Sequence, residues 1–235
     1  MLTAPVAPAS AEPCPDVEVV FARGTSEPPG LGEVGERFVD SLRARAGARS
    51  LAVYPVDYPA STDFPTALDG INDAGAHIES MAVSCPKTSM VLGGYSQGAA
   101  VMGFVTADRV PDGAHAVEIP QPMPPAVADH VVAVTLFGKP SEQFMNTIGQ
   151  PAIAIGPGYA AKTIDLCIPN DPVCSGAGDF FAHGQYVETG MVDQAADFAA
   201  SHLPISPAPE SVTTPPAAPH LTGPPHPPGQ VPTGV

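Results

Sequence analysis

The sequence predicts an α/β fold, a three-layer sandwich with helices on both faces of a central, mostly parallel sheet. Two observations carry this. Short β-branched runs alternate with longer amphipathic segments from residue 17 to about residue 203, and such alternation implies parallel strands because right-handed crossovers return each helix over the sheet. Beyond that point the composition changes to a Pro-rich stretch with almost no bulky apolar side chains.

The first strand is Val17-Glu18-Val19-Val20-Phe21, a short β-branched run that ends at Arg23-Gly24. From Gly32 the period changes. Val34, Phe38 and Leu42 recur at helical spacing, with Glu33, Glu36, Arg37 and Asp40 between them. Residues 51–56 form a second strand, and Leu68, Ile71, Ala74, Ile78 and Met81 mark a second amphipathic helix. Ser89-Met90-Val91-Leu92 is a third strand entering Gly93-Gly94, followed by a helix over 97–107. After a Pro-rich stretch, 111–125, two further strands fall at 131–137 and 162–167. The last helix spans 190–202, with Met191, Ala195, Phe198 and Ala199 on one side.

Residues 14–203 therefore form one domain of about 190 residues, long enough to bury a full core. Residues 204–235 read as a disordered or polyproline-like tail. Ala9-Ser10-Ala11 fits a signal-peptidase site, although the first residues lack the basic start and apolar core of an intact signal peptide. Residues 1–13 are thus expected to be a signal remnant or a disordered N-terminus, with a truncated or misassigned start.

A net charge of −15, with nine Lys and Arg, argues against nucleic acid or an anionic membrane surface as the main partner. No apolar run reaches the roughly 18 residues of a membrane span. The four cysteines have neither redox-pair nor zinc-site spacing, and their even number fits two disulfides and export. Cys167 and Cys174 are close in sequence, which leaves Cys14 to pair with Cys85. Both of these sit just before strands that run parallel, so their bridge falls on one edge of the sheet. The protein is expected to be secreted, extracellular or cell-wall associated, to be a monomer, and to need no metal or organic cofactor.

Gly94-Tyr95-Ser96-Gln97-Gly98 is a G-x-S-x-G match with an apolar strand before it and a helix-compatible segment after it. A sharp strand-to-helix turn brings backbone segments into close contact, which requires the flanking glycines and holds Ser96 exposed at the carboxyl end of the sheet. The N–H groups that open the following helix point to where an attacked carbonyl oxygen gains charge, with the Gln97 amide as first donor.

A serine hydroxyl needs a histidine base and an acid to orient it. In α/β-hydrolases these follow in the order Ser, acid, His. His77 precedes Ser96, His220 and His226 lie in the tail, and His115 and His130 leave little room for an intervening acid. His202 falls in the last turn of a helix, a common place for a structural histidine. His183 remains, in a Gly-containing loop over 176–184. By order Asp165, Asp171 and Asp179 can each be the acid. Asp171 is favoured because the segment Cys167-Ile168-Pro169-Asn170-Asp171-Pro172-Val173-Cys174 would be closed by a disulfide, whereas Asp165 points along a strand and Asp179 is the fallback.

These residues resemble the cutinase-like serine esterases, particularly the actinobacterial, mycobacterial-type members. The match runs through Phe21-Ala22-Arg23-Gly24-Thr25-Ser26-Glu27, the G-x-S-x-G, the Asp171 loop between cysteines, and Ala182-His183. The resemblance implies an α/β-hydrolase fold without a cap domain and the triad Ser96, Asp171 and His183. It also implies a second oxyanion donor at Thr25, where fungal members commonly carry Ser. The implied reaction is hydrolysis of a carboxylic ester, of lipid or polymer, through an acyl-enzyme. Phe180 and Phe181, with Pro120, Met123 and Pro124, are candidates for an apolar rim that holds the acyl chain, against ordinary packing. Acyl transfer or thioester hydrolysis on the same triad is the nearest alternative. A non-catalytic cell-wall or adhesion module is the alternative of another class.

Overall fold

The computed structural model describes residues 13–110 and 120–204. The proline-rich tail, the first twelve residues and most of the stretch after residue 110 lie outside the described residues. Five strands, β1 (Val17–Ala22), β2 (Leu51–Pro55), β3 (Ser89–Tyr95), β4 (Val131–Phe137) and β5 (Thr163–Leu166), form one sheet in the order β2-β1-β3-β4-β5. Every pairing is parallel, with Val17 level with Leu51 on one side and with Ser89 on the other. The helices are α1 (Gly32–Arg45), α2 (Ala67–Ser84), α3 (Gln97–Val105), α4 (Glu142–Thr147), α5 (Pro157–Ala160), α6 (Phe180–His183) and α7 (Met191–His202).

Alternation along the strands supplies two cores. Val17, Val19 and Phe21 of β1, with Val91, Ala133 and Phe137, face α1 and α7. Val20, Ala22, Met90, Leu92, Val134 and Leu136 face α2 and α3. The same helical stripes that mark the elements in sequence fill these layers: Val34, Phe38 and Leu42 on one face, Ile71, Ala74 and Ile78 on the other. Phe21, Phe38 and Phe137 bring their ring centroids within 6.4 Å of one another, two pairs tilted and the Phe38–Phe137 pair edge-on.

Where the structure departs from the pattern, local steric and polar contacts decide. β3 continues three residues past its apolar run because Gly93 leaves room for the Phe21 ring; a Cβ there would meet the ring and the Thr135 hydroxyl. α4 and α6 are too short to show a period, and each is opened by a side-chain cap. The Ser141 hydroxyl accepts from the Phe144 N–H and the Asp179 carboxylate from the Phe181 N–H. The segment 176–184, expected as a loop, therefore ends in a helical turn that carries His183.

Both disulfides form, Cys14–Cys85 and Cys167–Cys174, with Cα atoms 5.5 and 5.8 Å apart, and no cysteine is left unpaired. The first ties the entry of β1 to that of β3 across a sequence separation of 71. Among the described residues, no helix is long and apolar enough to cross a membrane. Replacing Cys14 and Cys85 together by Ala is expected to cost about 2–4 kcal/mol. Thermal unfolding should report this as a midpoint lower by roughly 5–15 °C; an unchanged midpoint would show that the bridge constrains nothing.

Candidate active site

The strand order runs outward from β1 to β2 and then returns to place β3 on the other side of β1. The crevice outside the carboxyl ends of β1 and β3 is thus the topological switch point, where open α/β sheets seat their ligands. Ser96 follows β3 directly, and Thr25 lies in the loop after β1.

Ser96 adopts φ 55°, ψ −116°, a conformation that costs a non-glycine residue on the order of 1–3 kcal/mol. The turn is held by its own surroundings. The Ser96 N–H donates to the Phe137 carbonyl at 2.8 Å, and its carbonyl accepts from the Ala100 N–H at 3.1 Å. The flanking glycines are sterically required: a Cβ on Gly94 would strike the Gly98 backbone, and one on Gly98 the Ala22 carbonyl. Helix α3 therefore rests directly on the ends of two strands.

The structure brings three of the singled-out residues into one line. His183 Nε2 lies 2.8 Å from Ser96 Oγ, and His183 Nδ1 lies 2.8 Å from Asp171 Oδ2. The Tyr95 ring stacks on the imidazole, with centroids 5.2 Å apart, and its hydroxyl donates to the His183 carbonyl at 2.8 Å. Asp171 is fully buried. Its Oδ2 also accepts from the Tyr186 hydroxyl at 2.6 Å, and its Oδ1 from the Val173 N–H at 2.9 Å.

Burial pushes the Asp171 carboxyl up, but bonds from His183, Tyr186 and the Val173 amide outweigh it and hold the group below the ordinary aspartate value of 3.8. The same carboxylate and the apolar surroundings push the Tyr186 phenol well above 10.0, burial first. Tyr186 thus stays a neutral donor while Asp171 stays charged. Tyr186 is fully buried and also receives the Ile168 N–H at 3.3 Å. Sequence reasoning missed both tyrosines; Tyr95 lay inside the motif, and Tyr186 three residues after His183 gives no signal of its own.

The other titratable candidates are committed elsewhere. Asp165 pairs with Lys139 at 3.2 Å, Asp179 caps α6, and His77 stacks on Tyr54 and meets Glu18 at 3.1 Å. His130 contacts the Pro86 carbonyl, and His202 packs on Phe198. His115, His220 and His226 lie outside the described residues.

Gln97 opens α3, so its N–H has no partner within the helix. Its buried side chain donates to the Ser61 carbonyl at 3.0 Å. Thr25 is half-buried and lines the same pocket. Its loop is fixed by Arg23, which is buried and donates to the carbonyls of Glu27, Val56 and Tyr58. The Glu27 carboxylate in turn accepts from the N–H groups of Gly24 and Glu33, the latter in the first turn of α1. Arg23 stood in the sequence only as part of a motif; its role needs the third-dimensional neighbours Val56 and Tyr58.

The pocket over Ser96 holds about 320 Å³ and is mainly apolar, with Phe64, Phe104, Phe144, Met145 and Ile148 among its walls. Phe180 lines it, whereas Phe181 is 74% exposed beside it and forms no part of its wall. Pro120 and Met123 line a different cleft and so lie away from the rim expected for them. Among the described residues, no group of three or more His, Cys, Asp or Glu could hold a metal ion.

Residues 13–203 match the family model named Cutinase. The chain belongs to the cutinase family. It is 61% identical over 172 residues to the Mycobacterium tuberculosis protein named "Probable carboxylesterase Culp5", covering 73% of this chain and 98% of that one. It is 52% identical over 198 residues to Carboxylesterase Culp1 of Mycobacterium tuberculosis, covering 83% and 85%. Among solved structures, Trichoderma reesei cutinase in complex with a phosphonate inhibitor superposes with a TM-score of 0.63 at 34% identity, over 82% of this chain and 78% of the other. The cutinase described here is accordingly a carboxylic ester hydrolase. Its fully parallel five-stranded sheet carries no further domain over Ser96 among the described residues.

Two expectations follow from the packing. Gly98→Ala should abolish ester hydrolysis and lower the unfolding midpoint, because the new methyl must push α3 off Ala22; a variant with wild-type activity would disprove the contact. Tyr186→Phe removes a donor to a buried carboxylate, a loss of about 1.5–3 kcal/mol. Asp171 has its native value depressed, so its contribution is present above the unfolded value near 3.8 and fades as pH falls through the lower native value. Urea unfolding should therefore show the wild type ahead of Tyr186→Phe at pH 7 and the gap narrowing toward pH 2.

Proposed function

We propose that this cutinase hydrolyses carboxylic esters through an acyl-enzyme on Ser96, with His183 as base and Asp171 as the group that orients it and stabilises its protonated form. The single observation that carries the reading is the unbroken chain of 2.8 Å contacts from Asp171 Oδ2 through His183 to Ser96 Oγ, at the mouth of an apolar pocket.

Ser96 Oγ attacks the ester carbonyl carbon while its proton passes to His183 Nε2. The carbonyl oxygen gains the negative charge and is met by the N–H groups of Gln97 and Thr25, fixed in advance by α3 and by the Arg23 loop. The tetrahedral adduct collapses, the alcohol leaves with the proton from His183, and the acyl group remains on Ser96. Water then gives a proton to the same nitrogen and attacks the acyl carbon, and the second adduct collapses to release the acid as Ser96 Oγ takes the proton back from His183 Nε2. Asp171 keeps the Nδ1 proton in place and stabilises the imidazolium at each step.

Two disulfides, one of them closing the loop that carries Asp171, favour work in an oxidising compartment, so the reading places the enzyme outside the cell. The net charge of −15 favours a neutral ester or lipid over an anionic surface as substrate.

A p-nitrophenyl ester assay tests the mechanism. Ser96→Ala should lose on the order of 10⁶ in kcat and Asp171→Asn on the order of 10⁴. An organophosphate should label the wild type at one site and leave Ser96→Ala unlabelled. Folded wild type that takes no label, or a Ser96→Ala variant that keeps its rate, would sink the reading.

A further inference from the structure

Two cavities meet at a single side chain. The pocket over Ser96 is bounded along its helical wall by Ala67 of α2 and by Ala100 and Phe104 of α3. A second cleft of about 220 Å³ runs on between the same pair of helices, which pack against each other. Ile71, Gly75 and Glu79 continue the row begun by Ala67 on α2 at one-turn spacing. Phe104 lines both spaces, half-buried and two helical turns beyond Ser96, ~12 Å along α3 at 1.5 Å per residue.

The second cleft is built to take an apolar tail. Ile71, Val105, Pro122 and Met123 are buried or half-buried within it. Of its polar residues, Asn72, Arg109 and Gln121 are exposed and so stand at its edge, while Glu79 is half-buried at the far end of the α2 row. Gly75 leaves it open, since a Cβ added there would meet nothing within 4 Å. The second cleft offers about 220 Å³ beyond the 320 Å³ over Ser96.

We propose that Phe104 is the partition that sets acyl chain length, and that the cleft behind it is a latent seat for the tail of a longer chain. This rests on the acyl-enzyme reading for Ser96. With the ring in place, an acyl chain bound from Ser96 along α3 is stopped at medium length. Without it the chain passes into the cleft between α2 and α3.

The test is a series of p-nitrophenyl esters from C4 to C16, in dispersing detergent, with four variants beside the wild type. Phe104→Ala should raise the C14:C4 ratio of kcat/KM by about tenfold or more, since each newly buried methylene is worth a few-fold. Phe104→Trp should act in the opposite sense and depress C8 relative to C4, which gives a result that does not depend on how well the alanine variant folds. Gly75→Leu fills the second cleft, so it should cancel the gain in the Phe104→Ala background and leave the wild-type profile alone. Parallel profiles for all variants, or a long-chain gain that survives Gly75→Leu, would overturn the partition while leaving the triad intact. Absence of any ester hydrolysis, or activity retained in Ser96→Ala, would instead overturn the triad reading and this inference with it.

Discussion

The structure turns on one close approach, that of helix α3 to the carboxyl ends of β1 and β3. Gly98 sits against the Ala22 carbonyl, and Gly94 against Gly98. No residue with a Cβ fits at either point, so backbone meets backbone and α3 cannot shift. The left-handed conformation of Ser96 is a consequence of that contact, and the bond from its N–H to the Phe137 carbonyl fixes it from a third strand. The position of the hydroxyl is thereby set by main-chain atoms of three neighbouring strands.

The other half of the site is held by polar contacts rather than close packing. Asp171 is fully buried, which alone would favour its neutral form. Its charge persists because two side chains and one amide point at it, and two of those three donors come from the segment between Val173 and His183, with Tyr186 just beyond. The Cys167–Cys174 bridge closes the loop from which Asp171 emerges. Arg23 plays the corresponding part on the opposite side of the crevice: a buried cation joined to three carbonyls makes the Thr25 loop a rigid wall.

The layers of the fold were legible because each is written as a stripe of apolar residues long enough to have a period. Phe38 and Ile78 declare their helices, and Val19 and Val134 their strands. The G-x-S-x-G motif is legible for a different reason, since its glycines answer a steric demand that any such turn imposes. The order Ser, acid, His together with the cysteine spacing singled out Asp171 and His183, which the structure brings into line with Ser96. Residues that act across the fold left no such trace. Tyr186 reaches Asp171 and Arg23 reaches Tyr58 only after distant elements dock, and α4, which supplies Phe144 and Met145 to the pocket, is shorter than two helical turns. The rim expected from Pro120 and Met123 failed because apolar character says what is buried and not which cavity it borders.

The sheet order has a further consequence for how the protein comes into being. Ser96 follows β3, whereas Asp171 and His183 follow β5, and β4 lies between those two strands. The nucleophile and its partners therefore emerge from strands that are not neighbours in the sheet, with β4 between them. Contacts of such long sequence range form late, because the loop entropy they cost is recovered only by pairing already in place. The hydroxyl beyond the end of β3 is thus expected to gain its neighbours only with the last third of the domain.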